Sequence, residues 1–124
     1  MRFTLKLKAF PVTIGVWCGE WEKEAILQFA RTISKDPQGV DEPEKNVVGL
    51  CYDFGLETLI WLPEEPSTPK QIGFLSHEAF HAAENIAKAI GIEHCKKSSE
   101  FYAYLTGYIV EETLKRCGKP LTSD

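Results

Sequence analysis

Apolar and polar positions change period several times along this chain, and each change marks an element. From Arg2 to Ala9 they alternate: Phe3, Leu5, Leu7 and Ala9 fall on one side, Arg2, Thr4, Lys6 and Lys8 on the other. A period of two predicts a strand with one solvated face. Phe10-Pro11 breaks it, and Val12, Ile14 and Val16 resume it as a second strand that returns beside the first and closes at Gly19. From Glu20 to Ile33 the period turns helical. Trp21, Ala25, Phe29 and Ile33 recur every four residues, with Ile26 and Ala30 alongside. Glu20, Glu22 and Glu24 crowd the first turns, where the helix dipole favours negative charge. This helix is expected to cover a sheet.

Residues 34–46 are polar, broken by Pro37, Gly39 and Pro43, and predict a loop, the best place for a mobile segment and too short to separate two domains. Val47 to Tyr52 and Glu57 to Leu62 predict two further strands joined by a hairpin turn at Asp53-Phe54-Gly55-Leu56. Pro63 and Pro66 stop the second. The next helix has a marked start: Thr68 is the N-cap, Pro69 the first helical residue, and Gln71 completes a capping box. Leu75, Ala79, Ala82, Ile86 and Ala89 form its apolar face, with Ala83 and Ile90 at the margin; His77, His81, Glu84 and Lys88 form a separate polar face, and Gly91 ends it. A loop, Ile92 to Lys97, leads to a last helix capped by Ser98 or Ser99, which runs to about Arg116 and is ended by Gly118 and Pro120. On it Glu100, Ala103, Tyr104, Gly107, Tyr108 and Glu111 share one face, and the small Ala103 and Gly107 would let it approach the preceding helix closely.

These elements predict an α+β domain: a small, mostly antiparallel sheet of three to four strands, one packing helix, and a C-terminal helical hairpin. With 124 residues the chain reads as one domain, 1–124, long enough to bury a real core. A net charge of −4 provides no field that would draw nucleic acid or an anionic membrane, so neither is expected as a partner. No apolar run reaches the roughly 18 residues of a membrane span. The alternating N-terminus lacks the continuous apolar core of a signal peptide. Cys18, Cys51, Cys95 and Cys117 include no C-x-x-C pair and are expected as free thiols in a reducing cytoplasm. The sequence leaves the oligomeric state open.

The chemistry concentrates in the polar face of the helix after Pro69. His77-Glu78-Ala79-Phe80-His81 fits H-E-x-x-H. Histidines four apart share a helix face and can converge on one metal ion, while Glu78, one residue round, can sit beside the metal and take a proton from its water. A catalytic zinc takes three protein ligands and keeps one position open. Three residues could supply the third: Glu100, 19 residues after His81, and His94 or Cys95 in the connecting loop. Glu100 is preferred because it shares a face with Ala103, Tyr104 and Gly107. The metzincin pattern is excluded, since Glu84 stands where it needs Gly and Ala87 where it needs the third His. Two imidazoles and a carboxylate suit Zn2+.

H-E-x-x-H followed by a Glu on the next helix resembles the gluzincins. The stretches Phe74 to Ala83 and Ser99 to Ile109, with Leu59-Ile60-Trp61-Leu62-Pro63 before them, are similar to the small, minimal gluzincin-like proteins encoded by bacteriophages. The resemblance covers the C-terminal half well and the N-terminal half loosely. It implies a zincin-like mini-domain and a zinc metallopeptidase acting on a peptide or protein substrate, in the host cytoplasm for a phage protein. It implies His77, His81 and Glu100 as ligands, Glu78 as general base, and an extended peptide bound along Thr58 to Leu62. Tyr104 is a candidate oxyanion donor or a hydrogen-bond partner of a ligand histidine, with core packing its simpler role. Glu84 is a second candidate to orient a histidine, and Trp61 a core or rim aromatic with substrate contact as its alternative role. The competing expectation is a non-catalytic protein-binding module that retains the metal on the same scaffold.

Overall fold

A computed structural model describes residues 1–93 and 96–123. The elements run β1 (Arg2–Lys6), β2 (Thr13–Cys18), α1 (Lys23–Ile33), β3 (Leu50–Asp53), β4 (Glu57–Leu62), α2 (Pro69–Ala89), a short 3-10 turn at Lys96–Ser98, and α3 (Ser99–Arg116). The strands form one sheet in the order β1-β2-β4-β3. β1 pairs with β2 and β3 with β4 in antiparallel register, but the central β2–β4 pair is parallel. The sheet is therefore mixed. α1 and residues 34–49 bring the chain back to the end of the sheet where β2 finished, and β3 carries it to the other end, so β4 starts level with β2 and runs parallel to it.

The sheet carries apolar side chains on both faces, so it is covered on both. Ile14, Val16, Cys18, Ile60 and Leu62 face α2 and α3, where they meet Leu75, Ala79, Ala82, Ile86, Leu105 and Ile109. Trp17, Leu59 and Trp61 face α1, where they meet Ile26, Ala30 and Ile33. The helix sits close because Gly15 leaves room: a Cβ there would lie 2.9 Å from Ile33 Cδ1 and 3.1 Å from Phe29 Cε2. Such contacts forbid any side chain without repacking.

α1 starts at Lys23, not at Glu20. Trp21 Nε1 donates to Tyr52 Oη at 3.0 Å, which holds the preceding residues extended, so only Glu24 occupies the acidic first turn. The polar stretch 34–46 is pinned across the same face, with Val40 buried and the Asp41 carbonyl accepting from Tyr52 Oη at 2.9 Å.

α2 begins as its residues dictate. Thr68 Oγ1 accepts from Gln71 N at 3.2 Å, and the Gln71 side chain accepts from Thr68 N at 3.2 Å. At its end Ile92 N donates to Ala87 O and Gly91 N to Lys88 O, with Gly91 at φ +84°. That is a Schellman closure, and it needs a left-handed residue. Ala83 and Ala87 are fully buried while Ala89 is exposed, because α2 packs on α3 as well as on the sheet. α3 is turned differently from the expectation. Tyr102, Leu105, Ile109 and Thr113 are its buried residues, while Ala103 and Gly107 are exposed, and a Cβ at Gly107 would meet nothing within 4 Å. The larger apolar side chains won the interface, and the small residues were left outside.

Candidate metal centre

α2 packs its apolar face on sheet and α3, which leaves the polar stripe on the outside. There His77 Nε2 and His81 Nε2 lie 3.1 Å apart, with ring centroids 4.6 Å apart and planes at 83°. On the far side of its ring, His81 Nδ1 lies 3.1 Å from Glu84 Oε1. An ionised carboxylate only accepts, so Nδ1 is the nitrogen that donates, and the tautomer this contact selects is the one with its proton on Nδ1. In that tautomer Nε2 carries the lone pair, on the side that faces His77. Zinc with bonds of about 2.0–2.1 Å at tetrahedral angles would hold two nitrogens roughly 3.3 Å apart. The spacing and the imidazole donors thus fit two positions of a zinc site. These two histidines are also exposed, so the stripe opens directly to solvent.

Glu78 is placed differently from its neighbours. It is only 7% exposed and turns toward the sheet edge. An added Cβ at Gly49 would come 3.0 Å from Glu78 Cγ, 3.2 Å from Glu78 Oε2 and 3.2 Å from Leu62 Cδ2. Glycine just before β3 is therefore what lets the Glu78 side chain lie against the backbone. Burial raises the Glu78 carboxyl above its usual range, and His77 and His81 pull it partly back. Two turns on, Asn85 Nδ2 donates to Cys51 Sγ at 3.6 Å and ties α2 to β3. Burial first, then the Glu78 carboxylate, pushes the Cys51 thiol well up, which favours its protonated form.

β3 is an edge strand beside this site. Phe54 N donates to Glu57 O at 2.9 Å, which makes that facing pair hydrogen-bonded. Alternation then makes Tyr52–Leu59 and Leu50–Trp61 the next bonded pairs. The backbone groups of Cys51 and Asp53 therefore point away from β4, along the open edge.

The other expected site residues fall as follows. Glu100 is exposed in the first turn of α3. Among the described residues no group of three His, Cys, Asp or Glu side chains is placed to hold a metal ion. His94 and Cys95 lie outside the described residues. Tyr104 is 73% exposed, stacks on Tyr108 with centroids 6.3 Å apart, and opens toward Lys6 and Phe10. Trp61 is buried on the α1 face of the sheet, its Nε1 donating to Gly19 O at 2.9 Å, so the sheet separates it from α2. Thr58 to Leu62 is an interior strand, paired on both sides, and has no edge to offer a peptide. Gly49 and the β3 edge were not singled out from sequence, although a glycine inside an expected strand marks a close backbone approach.

The fold and the stripe together define a small α+β domain with a surface histidine pair and a buried glutamate beside it. No protein-family model, no curated protein and no solved structure matches the chain. Among the described residues no helix is long and apolar enough to cross a membrane.

Proposed function

We propose that the protein is a zinc-dependent metallopeptidase on a zincin-like mini-domain. The observation that carries this reading is the convergence of His77 Nε2 and His81 Nε2 to 3.1 Å, with Glu84 on the outer nitrogen of His81. His77 and His81 are two of the ligands, and Glu84 fixes the tautomer and orientation of His81. Glu100, in the first turn of α3, or His94 provides the third. A zinc ion held there supplies Lewis acidity toward a peptide carbonyl and a water. Glu78 accepts the proton of that water and returns it to the leaving amine. Its packing on Gly49 aims the carboxylate between the helix stripe and the strand edge. The substrate is an extended peptide that pairs with the open edge of β3 at Cys51 and Asp53. Free thiols at Cys18, Cys51 and Cys117 suit a reducing compartment such as the cytoplasm.

One observation favours the second reading, a non-catalytic protein-binding module that keeps the metal. Glu100 is exposed and outside any convergent group, which leaves two protein ligands in place.

The test is to incubate the zinc-supplied protein with a mixed peptide library and to identify products by mass spectrometry. Cleavage by the wild type, absent with Glu78→Gln although zinc binding is unchanged, is the expected result. Zinc binding without any cleavage selects the binding module; cleavage that survives Glu78→Gln removes Glu78 from the mechanism.

A further inference from the structure

An exposed aromatic groove lies apart from the histidine stripe. Tyr102 turns toward α2, its ring 6.1 Å from that of Phe80. Tyr104 and Tyr108 stand on the opposite flank of α3. There a groove of about 520 Å³ is walled by Leu7, Phe10, Tyr104 and Tyr108, with Lys6 and Lys8 at its rim and no acidic side chain in its lining. Tyr104 is 73% and Phe10 37% exposed, so the groove presents aromatic surface to solvent. Among the described residues neither lysine is in an ion pair.

The same end of the sheet carries the complement. The β3–β4 turn exposes Leu56, 37% accessible, between the acidic Asp53 and Glu57. Asp53 Oδ1 accepts from Gly55 N at 2.9 Å, and Gly55 at φ +92° fixes the shape of the turn. Lys6, Thr13 and Glu57 lie in one row across β1, β2 and β4. With strands about 4.8 Å apart, the basic rim and the acidic turn are roughly 10 Å from each other. Adjacent patches of opposite charge, one concave and aromatic and one a projecting apolar tip, are self-complementary about a two-fold axis. We propose that this end of the sheet is an isologous dimer interface, in which the acidic β3–β4 turn of each copy seats Leu56 in the Phe10–Tyr104 groove of the other. Asp53 and Glu57 then face Lys6 and Lys8 twice over, once on each side of the axis.

Sedimentation velocity over a range of protein concentrations tests this. The wild type is expected to rise from the 14.0 kDa monomer toward twice that mass. Lys6→Glu with Lys8→Glu is expected to stay monomeric, and so is Asp53→Lys with Glu57→Lys, each with the circular dichroism of the wild type. Mixed in equal amounts, the two variants recover both contacts and are expected to pair again. Tyr104→Ala, at an exposed position that the fold does not need, is expected to weaken the dimer at least tenfold. A wild type that stays at 14.0 kDa throughout overturns the proposal. So does a dimer that neither charge reversal disturbs, or a mixture of folded variants that fails to pair.

Discussion

Replacing Glu78 with Gln should stabilise the metal-free protein at neutral pH. Glu78 is 7% exposed, its Cγ packs against Gly49, and among the described residues its carboxylate accepts no hydrogen bond. Burial raises its carboxyl above the ordinary 4.5. The protonated form is thus the one that suits the fold. Its contribution is complete below the ordinary carboxyl range and is lost as pH rises through the raised value. Gln keeps the shape and carries no charge, so the variant escapes that loss. A poorly compensated buried polar group costs about 1–3 kcal/mol. The two Glu78 oxygens retain some solvent and the histidines offset part of the burial, which sets the gain near the low end, about 1 kcal/mol. For a domain of this size that is roughly 3–6 °C in melting temperature. Thermal melts of both proteins in chelator, from about pH 4 to 7.5, give the comparison. The gap should be near zero in acid and open toward neutrality. A variant that melts no higher than the wild type at neutral pH, or a gap that does not change with pH, refutes the reasoning.

Other outcomes follow from single contacts. Gly15→Ala places a Cβ 2.9 Å from Ile33 Cδ1 and should cost about 1–3 kcal/mol in urea unfolding as α1 is lifted from the sheet. Thr68→Ala removes the N-cap oxygen of α2 and should cost about 1 kcal/mol in the same assay. Gly49→Ala meets Glu78 at 3.0 Å, where the flexible carboxylate arm must give way. Stability should therefore shift by less than about 1 kcal/mol, while the proposed peptide cleavage should fall by roughly tenfold or more as Glu78, the proposed base, is displaced.

Local signals were the most readable part of the sequence. The boundaries of β4, the Thr68–Gln71 capping box, the Asp53–Glu57 turn and the Gly91 closure follow from side chains acting on their own backbone, so they survive without tertiary context. The start of α1 was not readable, because it depends on the Trp21–Tyr52 hydrogen bond, 31 residues away in sequence. Strand order was hidden for the same reason. Nothing local says that β4 joins β2 in parallel and so becomes an interior strand. On α3 two apolar stripes competed, and small residues suggested close approach where Leu105 and Ile109 took the contact. At the site, the His77–His81 pairing follows from helix geometry alone, whereas Gly49 beneath Glu78 needed the sheet edge to be placed.

The proposed centre requires that His77 and His81 bind one metal ion together. Zinc bound per chain at saturation, measured for the wild type beside His77→Ala, His81→Ala and Glu100→Ala, tests it most directly. About one zinc per chain, lost in either histidine variant, is the expected result. Loss in Glu100→Ala as well assigns the third ligand to Glu100, and retention there moves it to His94 or water. A wild type that takes up no zinc at neutral pH, or one whose uptake is unchanged by His77→Ala, contradicts the account.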